Sequence, residues 1–180
     1  MPTENERKFV LRLDLSADVI NKVARTSYQI QQGYLMASKG MSLRLRSSLE
    51  QNGEQRYFMT YKCSSPAGRV VEIEKKIDRR DFIDLWPQCM NKLLKDRYEV
   101  ASQHLWEVDF FKDHNEQTYF VMAEVELPEG TTKPTTIPKL LSDNLVYEVG
   151  LTDCRFASKL LGDVRYAKET YKLLCEGLGK

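Results

Sequence analysis

Charged and apolar residues alternate along much of this chain. Glu4, Glu6 and Lys8 occupy every second position of a segment that runs into Phe9, Val10 and Leu11. Side chains two apart share one face of a β-strand, so this opening segment predicts a strand with one ionic face. Strand-like runs follow at 28–36, 41–47, 56–62 and 69–77, and again at 94–100, 104–111 and 118–127. Arg44 and Arg46 alternate with Leu43 and Leu45, and Glu72 and Glu74 with Val71 and Ile73. Lys95 and Arg97, Glu107 and Asp109, and Glu124 and Glu126 are also two apart, and Lys62 follows Thr60 on one face of its run.

Helical signals are fewer. Residues 15–18 offer caps for a helix through about 25, and Asp78 can cap one from 79 to 86 that Pro87 interrupts and that resumes to 93. Helical pattern returns at 137–143, 155–161 and 164–176, with 145–149 as a short extended segment. Turn residues at 51–54 and 64–68 separate the strands between them. Consecutive strands with a few helical insertions predict a mainly antiparallel sheet or barrel.

The ionic faces are sorted by sign within each strand: acids at 4/6, 72/74, 107/109 and 124/126, bases at 44/46 and 95/97. Like charges this close repel and need partners of opposite sign. Two arrangements satisfy them. One is a solvated sheet face laced by salt bridges. The other is a sheet curled so that the charges point inward, where carboxylates suit hard divalent cations and Arg and Lys suit phosphate oxygens.

Composition narrows the function classes. The 180 residues fit a single domain spanning 1–180, and 42% hydrophobic with 29% charged residues is ordinary for a globular protein. A net charge of +1 argues against a general nucleic-acid binder. Cys63, Cys89, Cys154 and Cys175 form no C-x-x-C pair, so zinc and redox-motif spacings are absent and reduced thiols are expected. The first 20 residues are too charged for a signal peptide, and no apolar run reaches the roughly 18 residues a membrane span needs. A cytoplasmic protein without membrane partners is expected. His104 and His114 read as surface residues and Trp86 and Trp106 as packing residues. Tyr34 is either packing or a lining hydroxyl, and the amphipathic C-terminal helix is expected to cover the sheet.

The order of motifs resembles one family. Glu4, Glu6 and Lys8 form E-x-E-x-K, followed by QQGYL at 31–35, LRLR at 43–46, MTYK at 59–62 and VEIE at 71–74. LKDRYEV at 94–100, WEVDFF at 106–111, AEVEL at 123–127 and YEVGLTDCRFASKLL at 147–161 complete the series. This series resembles the CYTH domain, or triphosphate tunnel metalloenzymes, across nearly the whole chain. The resemblance implies an eight-stranded antiparallel closed β-barrel, mainly β, with helices packed outside. It also implies Mg²⁺- or Mn²⁺-dependent work on triphosphates. Carried over by motif, Lys8, Arg44, Arg46, Lys62, Lys95, Arg97 and Arg155 would grip phosphates, with Lys8 and Lys62 as candidates for direct catalytic roles. Glu4, Glu6, Asp109, Glu124 and Glu126 would hold metal, and Glu72 and Glu74 would support it. Arg69 is one residue out of step with the family's R-x-E-x-E and is not transferred.

Within that family, the stretch Gln32-Gly33-Tyr34-Leu35-Met36 lacks the aspartate that the cyclase and thiamine-triphosphatase branches carry, and so resembles the short bacterial triphosphatase branch. The expected function is hydrolysis of inorganic tripolyphosphate, with a small-molecule triphosphate as partner and no nucleic acid. A nucleoside triphosphatase, a class IV-type adenylate cyclase and a non-catalytic polyphosphate- or nucleotide-binding module are the alternatives, and a homodimer is compatible with the sequence.

Overall fold

A computed structural model describes residues 5–64 and 70–177. Nine strands lie among them: β1 Glu6–Leu11, β2 Thr26–Ser38, β3 Met41–Glu50, β4 Gln55–Ser64, β5 Val70–Lys76, β6 Met90–Ala101, β7 Leu105–Lys112, β8 Thr118–Glu126 and β9 Leu145–Glu148. They form one antiparallel sheet in the order β5-β4-β3-β2-β6-β7-β8-β1-β9. The helices are α1 Ala17–Asn21, α2 Arg79–Leu85, α3 Lys139–Ser142, α4 Ser158–Leu161 and α5 Val164–Cys175. No helix among the described residues is long and apolar enough to cross a membrane.

The sheet is not the closed eight-stranded barrel expected. Among the described residues β5 bonds only to β4, and β9 only to β1, so two edges remain there and no hydrogen-bond ladder joins them. The reason lies in those edges. β9 has four residues, and its register against β1 shifts between Val10 and Leu11, so it offers no long ladder. The sheet is nevertheless strongly curled, since side chains from β1 and from β3, β4 and β5 line one cavity.

Register sorts the two faces. Opposite residues share a face, and the pairs Lys8 with Glu124, Val10 with Met122, Glu107 with Glu124, Arg97 with Asp109 and Phe111 with Phe120 define the inner one. The outer face carries Phe9, Leu11, Trp106, Val108, Phe110, Val121 and Ala123, a core completed by Ile20 of α1 and Leu141 of α3. On the inner face every strand of this half changes character along its length. Lys8 gives way to Val10, Lys95 to Leu93, Asp109 to Phe111, and Glu124 to Met122 and Phe120. The apolar end packs on Phe156, on Leu161 of α4 and on Ala167 of α5. The C-terminal elements therefore stopper one end of the groove, besides covering the sheet.

Two local expectations change. The helical run to 93 ends earlier: a 3₁₀ turn at Trp86–Gln88 leads into β6 at Met90, because Leu93 pairs with Gln32 of the thirteen-residue β2 and is buried. Pairing with a long neighbour overrides local helical pattern here. The helix after Ser16 stops at Asn21, and β2 begins at Thr26.

Gly33 shows why β2 needs a glycine. A Cβ there would lie 2.8 Å from Cys89 Cβ and 3.0 Å from Trp86 Cζ3. Trp86 is stacked on Phe82 of α2 at 5.0 Å between ring centroids. Gly33→Ala is therefore expected to push the 86–89 segment off the sheet and lower stability by about 1–3 kcal/mol, read as a fall in the thermal midpoint.

Candidate functional site

Seven strands and one helix contribute to a cavity of about 240 Å³. β1 supplies Glu6 and Lys8, β3 Arg44 and Arg46, β4 Lys62, and β5 Glu72 and Glu74. β6 supplies Lys95 and Arg97, β7 Glu107, β8 Glu124, and α4 Ser158. Every lining residue is polar or charged. Each charged one sits there because i, i+2 spacing keeps its strand's ionic positions on one side, so the inward arrangement is the one the chain adopts.

The charges are paired across strands. Lys8 Nζ lies 2.6 Å from Glu124 and 3.0 Å from Glu6. Lys62 lies 3.0 Å from Glu72, and Arg44 sits 3.7 Å from Glu72 and 3.6 Å from Glu74. Arg97 holds three carboxylates: Asp109 through a two-pronged contact at 2.7 Å on both prongs, Glu124 at 3.0 Å, and Glu107. Lys95 donates to the same Asp109. Arg46 differs, for among the described residues its Nε and Nη2 reach only the Gln32 amide oxygen, both at 3.4 Å. Arg44 Nε is buried without a hydrogen-bond partner among the described residues. A buried donor left unmade is unfavourable, and a phosphate oxygen would satisfy it.

Burial and neighbours set the protonation states. Burial opposes the Lys8 ammonium, but Glu124 and Glu6 outweigh it and hold its pKa above the ordinary lysine range. Burial would raise the Glu124 carboxyl, yet Lys8, Lys95 and Arg97 hold it far below the usual carboxylate range, and Asp109 is lowered likewise by Arg97 and Lys95. Burial and the adjacent Arg44 and Arg97 pull Arg46 down to about 10. Burial and Arg97 together pull Lys95 down from 10.5 to about 8, despite Asp109.

The last shift has two consequences of opposite sign. Between about 8 and 10.5 the unfolded chain binds the Lys95 proton that the folded protein has released, so folding stability from this residue rises with pH across that window. Over the same window the cavity loses a positive charge, so affinity for a polyanion falls. Titrations of tripolyphosphate at pH 7 and pH 9 are expected to show weaker binding at the higher pH, with no fall in the urea midpoint attributable to Lys95.

The expected site residues divide by placement. Glu6, Lys8, Arg44, Arg46, Lys62, Glu72, Glu74, Lys95, Arg97 and Glu124 line the cavity together. Asp109 does not. It has no exposed surface, and both its oxygens are taken by Lys95 and Arg97, so it lies behind the bases. Glu126 is exposed and accepts the Asn5 backbone N–H at 2.6 Å. Arg155 is also absent from the lining, being clamped by Asp153 at 2.8 and 2.9 Å and lying against the rings of Tyr147 and Phe156. Glu4 and Arg69 lie outside the described residues. Sequence reasoning passed over Glu107, Gln32 and Ser158. The signal for Glu107 was present, since it alternates with Asp109, but spacing alone does not say which acid reaches the opening.

A larger cavity of about 420 Å³ adjoins this one and shares Lys8, Arg44, Lys62 and Ser158 with it. Its other walls include Tyr34, Met41, Cys63, Phe156 and Leu160, so it is a partly apolar vestibule between the β2–β3 turn and the C-terminal segment. Tyr34 is thus a lining residue as well as a buried one.

Among the described residues no group of three metal-ligating side chains forms a preassembled metal cage. Glu6 and Glu124 do converge on Lys8 from adjoining strands, with Glu107 next to Glu124. This oxygen donor set fits Mg²⁺ or Mn²⁺ held by one or two carboxylates with the remaining positions filled by phosphate and water, the usual mode for Mg²⁺ in phosphate chemistry.

No protein-family model and no curated protein matches the chain. Solved structures do. The inorganic triphosphatase NE1496 is 28% identical, with 90% of this chain and 95% of that chain covered and a TM-score of 0.55. HpAC1 from Hippeastrum, a candidate adenylyl cyclase described as having a dominant triphosphatase activity, shares the fold at 16% identity, 70% and 80% coverage, and a TM-score of 0.51.

Proposed function

We propose that this chain, a CYTH-type triphosphate tunnel protein by motif and fold, is an enzyme that hydrolyses inorganic triphosphate with a divalent metal ion. The observation that carries this reading is the cavity itself. It sets six cationic side chains against five carboxylates and offers no apolar surface for a base or ring. Tripolyphosphate is a chain of anionic oxygens with nothing else to recognise, and the lining matches that. Likeness to the inorganic triphosphatase NE1496 supports the same substrate.

The residues divide the work. Arg44 and Arg46 of β3 and Lys95 and Arg97 of β6, on either side of β2, would neutralise the phosphate chain, the arginines by forked hydrogen bonds. Lys8 and Lys62, each at the junction with the vestibule, would contact the end of the chain that meets incoming water. Glu6 and Glu124, with Glu107, would hold the metal against the phosphates, and Glu72 and Glu74 orient Lys62 and Arg44. A divalent metal held by these carboxylates would supply charge stabilisation for phosphoryl transfer. Water adds to a terminal phosphorus, the P–O–P bond breaks, and orthophosphate and pyrophosphate leave. Asp109 holds Lys95 and Arg97 in place rather than coordinating metal, and neither Glu126 nor Arg155 takes part.

One observation favours a second reading. The vestibule shares Lys8, Arg44 and Lys62 with the charged cavity and carries Tyr34, Met41 and Phe156, a surface that suits the organic end of a nucleoside triphosphate. Initial rates of orthophosphate release from tripolyphosphate and from ATP, with Mg²⁺, Mn²⁺ or EDTA, separate the two. Faster metal-dependent release from tripolyphosphate is expected. Faster release from ATP would favour the second reading, and none from either would contradict both.

A further inference from the structure

The inner face of β2 is the part of the groove wall without charge, and a polar network is built there. Gln32 has no exposed surface and lies directly opposite Arg46 in the β2–β3 register. Its Oε1 accepts from Arg46 Nε and Nη2, and its Nε2 donates to the Tyr34 hydroxyl at 3.0 Å. The amide can point only this way, because turned over its NH₂ group would face two guanidinium donors. The Tyr34 oxygen is therefore an acceptor from Gln32, and its own proton has no acceptor among the described residues. Tyr34 lines the vestibule beside Lys8, Arg44 and Lys62. Among the described residues, Arg46 is also the cavity cation with no carboxylate in ion-pair reach, whereas Lys8, Arg44, Lys62, Lys95 and Arg97 each have one.

We propose that Gln32 is a positioning residue of the triphosphate site, a neutral acceptor that aims the Arg46 guanidinium without neutralising it and turns the Tyr34 O–H toward the phosphate chain. The inference rests on the triphosphatase reading above. A carboxylate in this place would hold Arg46 more tightly, as Asp109 holds Arg97, but would also consume the charge that phosphate needs. A hydrocarbon would leave Arg46 and Tyr34 unaimed while keeping the charge. Neutrality and hydrogen bonding are both required, and a buried amide provides both.

The choice of variants separates this role from a structural one. If Gln32 served only to hold the fold, Gln32→Glu would keep or strengthen the contact to Arg46 through a charge-assisted bond, and Gln32→Met would be the damaging change. The positioning role reverses the order. Tripolyphosphate dissociation constants in EDTA, kcat and KM with Mg²⁺, and thermal midpoints would be measured for wild type, Gln32→Glu, Gln32→Met and Tyr34→Phe. Expected are an affinity loss of about tenfold or more for Gln32→Glu, a smaller loss for Gln32→Met, and a several-fold rise in KM with kcat largely kept for Tyr34→Phe. Gln32→Glu binding as tightly as wild type would overturn the proposal. Should that variant not fold, an unchanged KM in Tyr34→Phe would overturn it instead. Wild-type protein that neither binds nor cleaves tripolyphosphate would remove the functional reading first, and this inference with it.

Discussion

Replacing Asp109 by alanine is expected to lower stability by about 3–5 kcal/mol and to abolish triphosphate hydrolysis. Asp109 is wholly buried, and both its oxygens are engaged by Lys95 and Arg97. Removing it leaves two cations close together in a desolvated place, where breaking a pair from one side is far more damaging than its net contribution suggests. Lys95, already pulled down by burial and Arg97, would shed its proton more readily, and Arg97 would lose its two-pronged seat. Urea unfolding measures the first effect and phosphate release the second. Were Asp109 a metal ligand of an open site, its removal would relieve like-charge repulsion, and the protein would lose metal affinity while keeping its stability.

Arg46→Ala is expected to give the opposite signature, a fall in turnover of about 100-fold or more without a comparable loss of stability. Arg46 faces the cavity beside two other arginines, and among the described residues no carboxylate lies in ion-pair reach of it. Burial, Arg44 and Arg97 outweigh the more distant Glu74 and Glu107, so the folded protein bears its charge at a disadvantage, visible in a pKa drawn down to about 10. A charge held in that way contributes little to folding and gains its partner when an anionic substrate arrives. The check is kcat/KM for tripolyphosphate alongside the thermal midpoint. Activity within a few-fold of wild type would mean that phosphate does not sit against this wall of the cavity.

The alternation of charge along the strands makes most of this site legible in the sequence. Residues two apart on a strand must share a face, so Glu6 with Lys8, Arg44 with Arg46 and Lys95 with Arg97 had to point together, and they do. Depth along that face was not legible. Glu107 and Asp109 have the same spacing, and only the register with Arg97 decides that one opens to the cavity and the other lies behind it. Closure was not legible either, because alternation reports which way side chains point and is silent on whether β5 and β9 meet. Tyr34 was legible as a packing or lining residue and is both, whereas Gln32 had no signal as a site residue, because it carries no charge in a pattern made of charges. Arg155 stood near tunnel motifs in the chain, yet Asp153, two residues away, claims it.

The measurement that bears most directly on the account is ³¹P NMR of tripolyphosphate incubated with the protein and Mg²⁺ or Mn²⁺. Equal amounts of orthophosphate and pyrophosphate should appear as the tripolyphosphate signals vanish, and EDTA should stop the reaction. A tripolyphosphate spectrum that stays unchanged with either metal would contradict the assignment of this cavity as a triphosphate hydrolase site.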